Sequence, residues 1–232
     1  MTKPWHLETL EIADRQLAPL EYITNVSAEV PEKAAHSFKG LGLELLPRNA
    51  TDAAALLRAG LLIALIPDLW FIITNRVNNI AIVHSIDDCY DTSHSDPSWP
   101  GLILVSIPRA TPVGDLRLAE AIIHEAMHHH LSALEQIVPL VTSGQTIYSP
   151  WKCVERPAIG ILHGIYVFGC VSHAFMRLIE LGDLHADQLK HAQMRIEEIR
   201  EEFEAIDHRS LYSSLTSSGK QVLDSAAGEL MN

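Results

Sequence analysis

Residues 119–135 read AEAIIHEAMHHHLSALE. Inside them, His124-Glu125-Ala126-Met127-His128 has the H-E-x-x-H spacing. On a helix four residues advance by about 400°, so His124 and His128 stand on nearly one face, a turn apart. Two imidazoles stacked that way can bind one metal ion. Glu125 lies about 100° round from His124, within reach of a metal-bound water or of a group that orients a ligand. The chain has 13 histidines in 232 residues. From composition alone roughly 0.05 matches are expected by chance, so the spacing carries information.

The flanking sequence places this helix in a fold. IAIVHSI (80–86) and GLILVSI (101–107) are rich in β-branched residues and read as strands. DDCYDTSHSDPSWPG between them reads as a polar turn region. Thr111 and Pro112 suit the N-cap and first turn of the motif helix, and Asp115 complements its dipole. The helix should run to about Ile137. VTSGQTIYSPWKCVER then reads as a loop. Pro157 starts a second helix, apolar nearly all round and therefore central, which Gly182 ends. Upstream, Asn49 to Asp52 starts a buried helix, AAALLRAGLLIALI. Pro67 interrupts it, and LWFIITNRV reads as another helix. Residues 1–35 have weak helical patterning. His185–Ile206 and Thr216–Met231 read as C-terminal helices.

The predicted class is α+β, mostly helical. A small zincin-like sheet precedes the H-E-x-x-H helix, an antiparallel core helix follows it, and C-terminal helices close the chain. The zincin part is analogy at the level of element order. One domain over residues 1–232 is expected, with the metal-site core at about 100–180.

Composition narrows the partners. Apolar content of 47% against 20% charged reads as a globular chain. A net charge of −12 argues against nucleic acid or an anionic membrane as the partner. Cys89, Cys153 and Cys170 are odd in number and form no C-x-x-C pattern, which fits a reducing cytoplasm. The N-terminal MTKPWHLETLEIADRQ has no apolar signal-peptide core. The longest apolar runs are interrupted and predict no membrane span.

A third metal ligand is needed. The metzincin continuation fails, because the positions it requires hold His130 and Leu134. Glu155 lies just before the second helix, and Glu180 near its far end. His163 fits better. His128 is about 13 Å of helix axis from the end of its helix, and His163 about 9 Å from the start of the next. If the two helices pack antiparallel, the imidazoles come level. Glu180 lies roughly 25 Å further along. His173 is about 80° off the His163 face. His129 and His130 point away from the motif face and read as supporting or structural groups.

With these elements in place, IYSPWKCVERPAIGILHGIYVF, after GLILVSIP and AEAIIHEAMHHHL, resembles the α-ketoglutarate-dependent HExxH-type peptide β-hydroxylases, bacterial enzymes that modify ribosomally made peptides. The resemblance covers about residues 100–180. Tyr148-Ser149-Pro150-Trp151, Arg156-Pro157 and Leu162-His163-Gly164 are its distinctive parts. It implies Fe(II) held by His124, His128 and His163, α-ketoglutarate as co-substrate, O₂ as oxidant, and hydroxylation of a precursor peptide at a β-carbon. The loop before His163 then serves the co-substrate. Its distal carboxylate needs a cation, first Arg156 and next Lys152. Tyr148 and Ser149 can donate hydrogen bonds, and Trp151 reads as a packing anchor. The chain departs from the family pattern at Ala158-Ile159-Gly160, where a basic residue is usual.

Two other readings stay open at this level. One is a zinc metallopeptidase with Glu125 as catalytic general base. The other is a non-catalytic zincin-like protein that binds a peptide.

Overall fold

The computed structural model describes residues 18–84, 91–108, 111–142 and 144–230. In chain order the elements are α1 (Pro19–Asn25), α2 (Glu32–Gly40), β1 (Leu45–Leu46), α3 (Ala50–Ala64), α4 (Pro67–Arg76), β2 (Asn79–Val83), β3 (Ser93–Ser95), β4 (Leu102–Val105), α5 (Gly114–Glu135), β5 (Thr146–Ser149), β6 (Val154–Pro157), α6 (Ala158–Leu181), α7 (Ala186–Glu204), α8 (His208–Ser213) and α9 (Ser217–Leu230). The class is α+β, mostly helical, with small sheets. The chain divides into two compact units. Of the described residues, one unit takes 18–130 and 184–188, the other 131–183 and 189–230. Helix α5 contributes to both.

In the first unit, α3 begins where its caps dictate. The Asn49 side chain accepts from the Thr51 and Asp52 amides, and Asp52 reaches back to the Asn49 amide. This closes a capping box. Pro67 then opens α4, where its missing N–H costs nothing. The sheet runs β1-β2-β4-β3, with β2 and β4 parallel and both outer strands antiparallel to their neighbours. Strand β3 corrects the sequence expectation of a turn region there. Its partners are Ser93↔Val105, His94↔Leu104 and Ser95↔Ile103. Ser-His-Ser has no apolar face because its two sides meet different neighbours. Leu102, Leu104, Ala81 and Val83 cluster with Phe38 and Ala34 of α2, and His94 meets Phe38 edge-on at 5.6 Å. Ser93 and Ser95 therefore face the other side of the sheet, toward α5.

Arg48 fastens the segment after α1 to the sheet. Its guanidinium donates to the carbonyls of Val26 (3.0 Å), Ser27 (3.3 Å) and Ile80 (2.5 Å). Nearby, the Tyr22 hydroxyl donates to the Val77 carbonyl at 3.0 Å, and its ring meets Trp70 edge-on. Burial pushes the Tyr22 pKa well up, and the Arg48 charge opposes this only in part. The folded value thus exceeds the unfolded one near 10. The Tyr22 contribution is complete below about pH 10 and is lost as pH rises above it. Urea unfolding between about pH 9 and 11 should show stability falling with pH. In Tyr22→Phe that slope should flatten; an unchanged slope would assign the loss elsewhere.

The second unit is built on α6. Its C-terminus ends on Gly182 in the left-handed conformation, φ 75°, which only glycine adopts without strain. Fourteen of its 24 residues are buried. It is the helix among the described residues that is long and apolar enough to span a bilayer, and most of it is inside the protein. Helix α9 crosses it at small residues. A Cβ on Gly169 would stand 3.3 Å from both Cβ and the carbonyl oxygen of Ala226. Residues read as a loop before α6 form an antiparallel hairpin instead, β5 with β6. The short helix α8, capped by Asp207, was not expected either. Cys153 is exposed and Cys170 is buried. Cys89 and residues 1–17 lie outside the described residues, while 18–35 hold α1 and the start of α2, in keeping with the helical patterning read there.

Candidate metal centre

Helix α5 starts two residues later than the Thr111-Pro112 signal suggested. Thr111 instead closes a turn, its carbonyl accepting the Gly114 amide at 3.0 Å. From there the helix lies deep in the protein. Within residues 121–131 every position is buried except His124 and His128, which keep partial exposure. Their rings meet edge-on with centroids 4.9 Å apart. One helical turn thus places two imidazoles side by side at the helix's only opening along that stretch.

The residues beside them are tied down. The His129 Nε2–H donates to the Leu102 carbonyl of β4 at 3.0 Å. His130 is fully buried. Both are buried, away from the opening that His124 and His128 share. Glu125 is only 4% exposed. Its Oε1 accepts from Ser93 Oγ at 2.6 Å and its Oε2 from Ser95 Oγ at 2.5 Å. The carboxylate of the motif is therefore spent on the edge strand β3. Sequence reasoning missed both serines, and only their two-residue spacing hinted at a shared strand face.

In the second unit the β5–β6 register sorts the expected co-substrate residues. Ile147 pairs with Arg156, Tyr148 with Glu155, and Ser149 with Val154. Paired residues share a face and alternate residues oppose it. Ser149 and Arg156 are thus diagonal neighbours on the face toward α6. Tyr148 turns outward, 48% exposed, and its hydroxyl contacts Cys153, which raises its pKa. Lys152 is exposed. Ser149 is fully buried, and neither its Oγ nor the Trp151 Nε1 has a hydrogen-bond partner among the described residues.

Glycines on α6 seat this hairpin. A Cβ on Gly160 would lie 3.3 Å from the Arg156 guanidinium carbon, and one on Gly164 would lie 2.6 Å from the Trp151 ring. Trp151 also stacks on Phe168 at 5.3 Å. Trp151 is therefore the packing anchor its position suggested. Gly164→Ala should destabilise the protein by about 2 kcal/mol, since a rigid indole must move. Gly160→Ala should be near neutral, because the flexible Arg156 side chain can give. Urea denaturation of the two variants checks both; equal losses would mean the indole contact is not limiting.

His163 also lies in this unit, on α6. Its Nε2 is 2.7 Å from Glu135 Oε2 at the end of α5. Glu180 is ion-paired with Arg177 and Glu155 is exposed, so neither competes as a ligand. Among the described residues no three His, Cys, Asp or Glu side chains are grouped to hold a metal. As a donor set, His124 and His128 suit a divalent transition metal, each imidazole reaching one ion at about 2.1 Å. Backed by a carboxylate on its Nε2, His163 is itself typical of a ligating histidine. No protein-family model matches the chain, and no curated protein matches it.

Proposed function

We propose that this chain is an Fe(II)- and α-ketoglutarate-dependent oxygenase that hydroxylates the β-carbon of a residue in a ribosomally made peptide. The observation that carries the reading is the set of donors without acceptors under the hairpin. Ser149 Oγ and Trp151 Nε1 are buried and have no partner among the described residues, and Arg156 shares the Ser149 face. Two buried donors without an acceptor, beside a guanidinium on the same face, suit an anion rich in oxygen lone pairs, such as a carboxylate. The distal carboxylate of a keto-acid needs such a place. The mixed sheet with an antiparallel edge strand, followed by the motif helix, supports a zincin-like arrangement.

In this reading His124 and His128 bind the metal, and the family resemblance adds His163 as the third ligand. The proton on His163 Nε2, directed to Glu135, leaves Nδ1 carrying the lone pair that a metal needs. When bound, iron supplies the redox chemistry that couples keto-acid decarboxylation to O₂. One oxygen atom enters succinate and the other the peptide, with CO₂ released. The chain's own groups position the reactants. Arg156 takes the distal carboxylate in its planar fork, and Ser149 and Trp151 add directional donors.

Glutarate, a dicarboxylate without the keto group, isolates this binding from the metal. Titrated calorimetrically into metal-free protein, it should bind. Arg156→Gln should weaken it by about tenfold or more, and Ser149→Ala by about fivefold. His124→Ala should leave glutarate binding intact. Equal affinity in wild type and Arg156→Gln would remove the support for the co-substrate.

A further inference from the structure

We propose that Ser93 and Ser95 are positioning residues that hold the Glu125 carboxylate away from the reacting centre, so that His124 and His128 work without the carboxylate their motif carries. The inference rests on the metal-dependent reading above. It is carried by a different observation, in the first unit alone.

Glu125 follows His124 directly, and in a helix its side chain could swing toward the same opening. Three features prevent this. Each carboxylate oxygen accepts its own hydroxyl, at 2.6 and 2.5 Å. The side chain is 4% exposed, so water cannot replace either bond at that position. The two hydroxyls are themselves fixed, because Ser93 and Ser95 are alternate residues of a strand in register with β4. Alternate residues of a strand stand about 6.6 Å apart on one face, a spacing that lets one carboxylate be braced from both sides. Two such bonds bias the carboxylate by about 100-fold or more against the rotated state.

The consequence concerns reaction type. A general base in hydrolysis must have a carboxylate oxygen beside the attacking water. Here both oxygens accept serine hydroxyls and the side chain is 4% exposed, so the carboxylate is held on the β3 side of α5 and not in the solvent-reached opening. Ser93 and Ser95 thereby withhold the hydrolytic base and leave room at the His124/His128 opening for a chelating co-substrate.

Cobalt(II) tests this without turnover, since its visible d–d bands report the ligands around it. The wild-type protein and Glu125→Gln, each loaded with Co(II), should give the same band positions. In Ser93→Ala/Ser95→Ala the released carboxylate should shift and intensify the bands and tighten Co(II) by about tenfold. Adding Glu125→Gln to that variant should reverse both changes, and Ser93→Thr/Ser95→Thr, which keeps the hydroxyls, should resemble wild type. Bands that move in Glu125→Gln alone would overturn the proposal. So would unchanged bands in a serine double variant with native circular dichroism. If the double variant does not fold, the Glu125→Gln and threonine spectra still decide it. Absence of keto-acid turnover with these spectra as expected would count against the oxygenase alone. Turnover together with a Glu125-sensitive spectrum would count against the serine brace alone.

Discussion

Alanine at His124 or at His128 is expected to abolish metal binding and activity together. The two rings are neighbours with centroids 4.9 Å apart, and along residues 121–131 they are the two positions that reach solvent. Removing either leaves a single imidazole on α5, with no adjacent donor to replace it, since Glu125 is held by serines and His129 by a carbonyl. Outer groups that merely support a ligand already change metal affinity by about 10–100-fold. Loss of a ligand should exceed that, with turnover down by about a thousandfold. Equilibrium dialysis against Co(II) measures the first quantity and succinate release the second. His129→Ala is the control. It should keep the metal and lose about 1–2 kcal/mol of stability with its bond to Leu102. Metal binding that survives in both His124→Ala and His128→Ala would place the metal elsewhere.

Gly219→Ala is expected to have the largest effect on stability. Ordinarily alanine within a helix is better than glycine by about 0.5–1 kcal/mol. At Gly219 the sign reverses. A Cβ there would stand 2.0 Å from the Leu140 carbonyl oxygen, and that oxygen is itself fixed, accepting the Thr216 amide at 3.0 Å. Thr216 Oγ1 also donates to the Pro139 carbonyl and accepts the Gly219 amide. Backbone, not a pliable side chain, must therefore move. The expected loss is about 3 kcal/mol or more. For Gly228, in the same helix, no heavy atom among the described residues, its neighbours and own helix backbone aside, lies within 4 Å of where a Cβ would stand. Alanine there should stabilise by about 0.5–1 kcal/mol. Opposite signs in thermal unfolding of the two variants are the expected result; a mild Gly219→Ala would mean that the start of α9 can shift.

Local chemistry made much of the fold legible. The Asn49/Asp52 box, Pro67 and Gly182 act within a few residues of themselves, and they ended or began helices where expected. Strands β2 and β4 were readable because they are buried on both faces and so are continuously apolar. What was hidden depends on partners distant in sequence. Ser-His-Ser becomes strand β3 only because Leu104 and Glu125 wait on its two sides. The β5–β6 hairpin is hidden by Pro150 and by Cys153, which takes a positive φ of 52° at its tip. Of the candidate site, the His124/His128 pair followed from helical periodicity alone. That Ser149 and Arg156 share a face, and that Tyr148 does not, required the hairpin register. The Glu135 contact of His163 lies 28 residues away in sequence, and no local pattern announces it.

The most direct measurement adds Fe(II) and α-ketoglutarate to the protein without oxygen, and then admits O₂. A keto-acid bound at an iron held by His124 and His128 should give a weak visible charge-transfer band. It should fade on oxygenation as succinate appears, and be missing in His124→Ala. No band and no succinate, with zinc-dependent peptide cleavage in their place, would contradict the oxygenase.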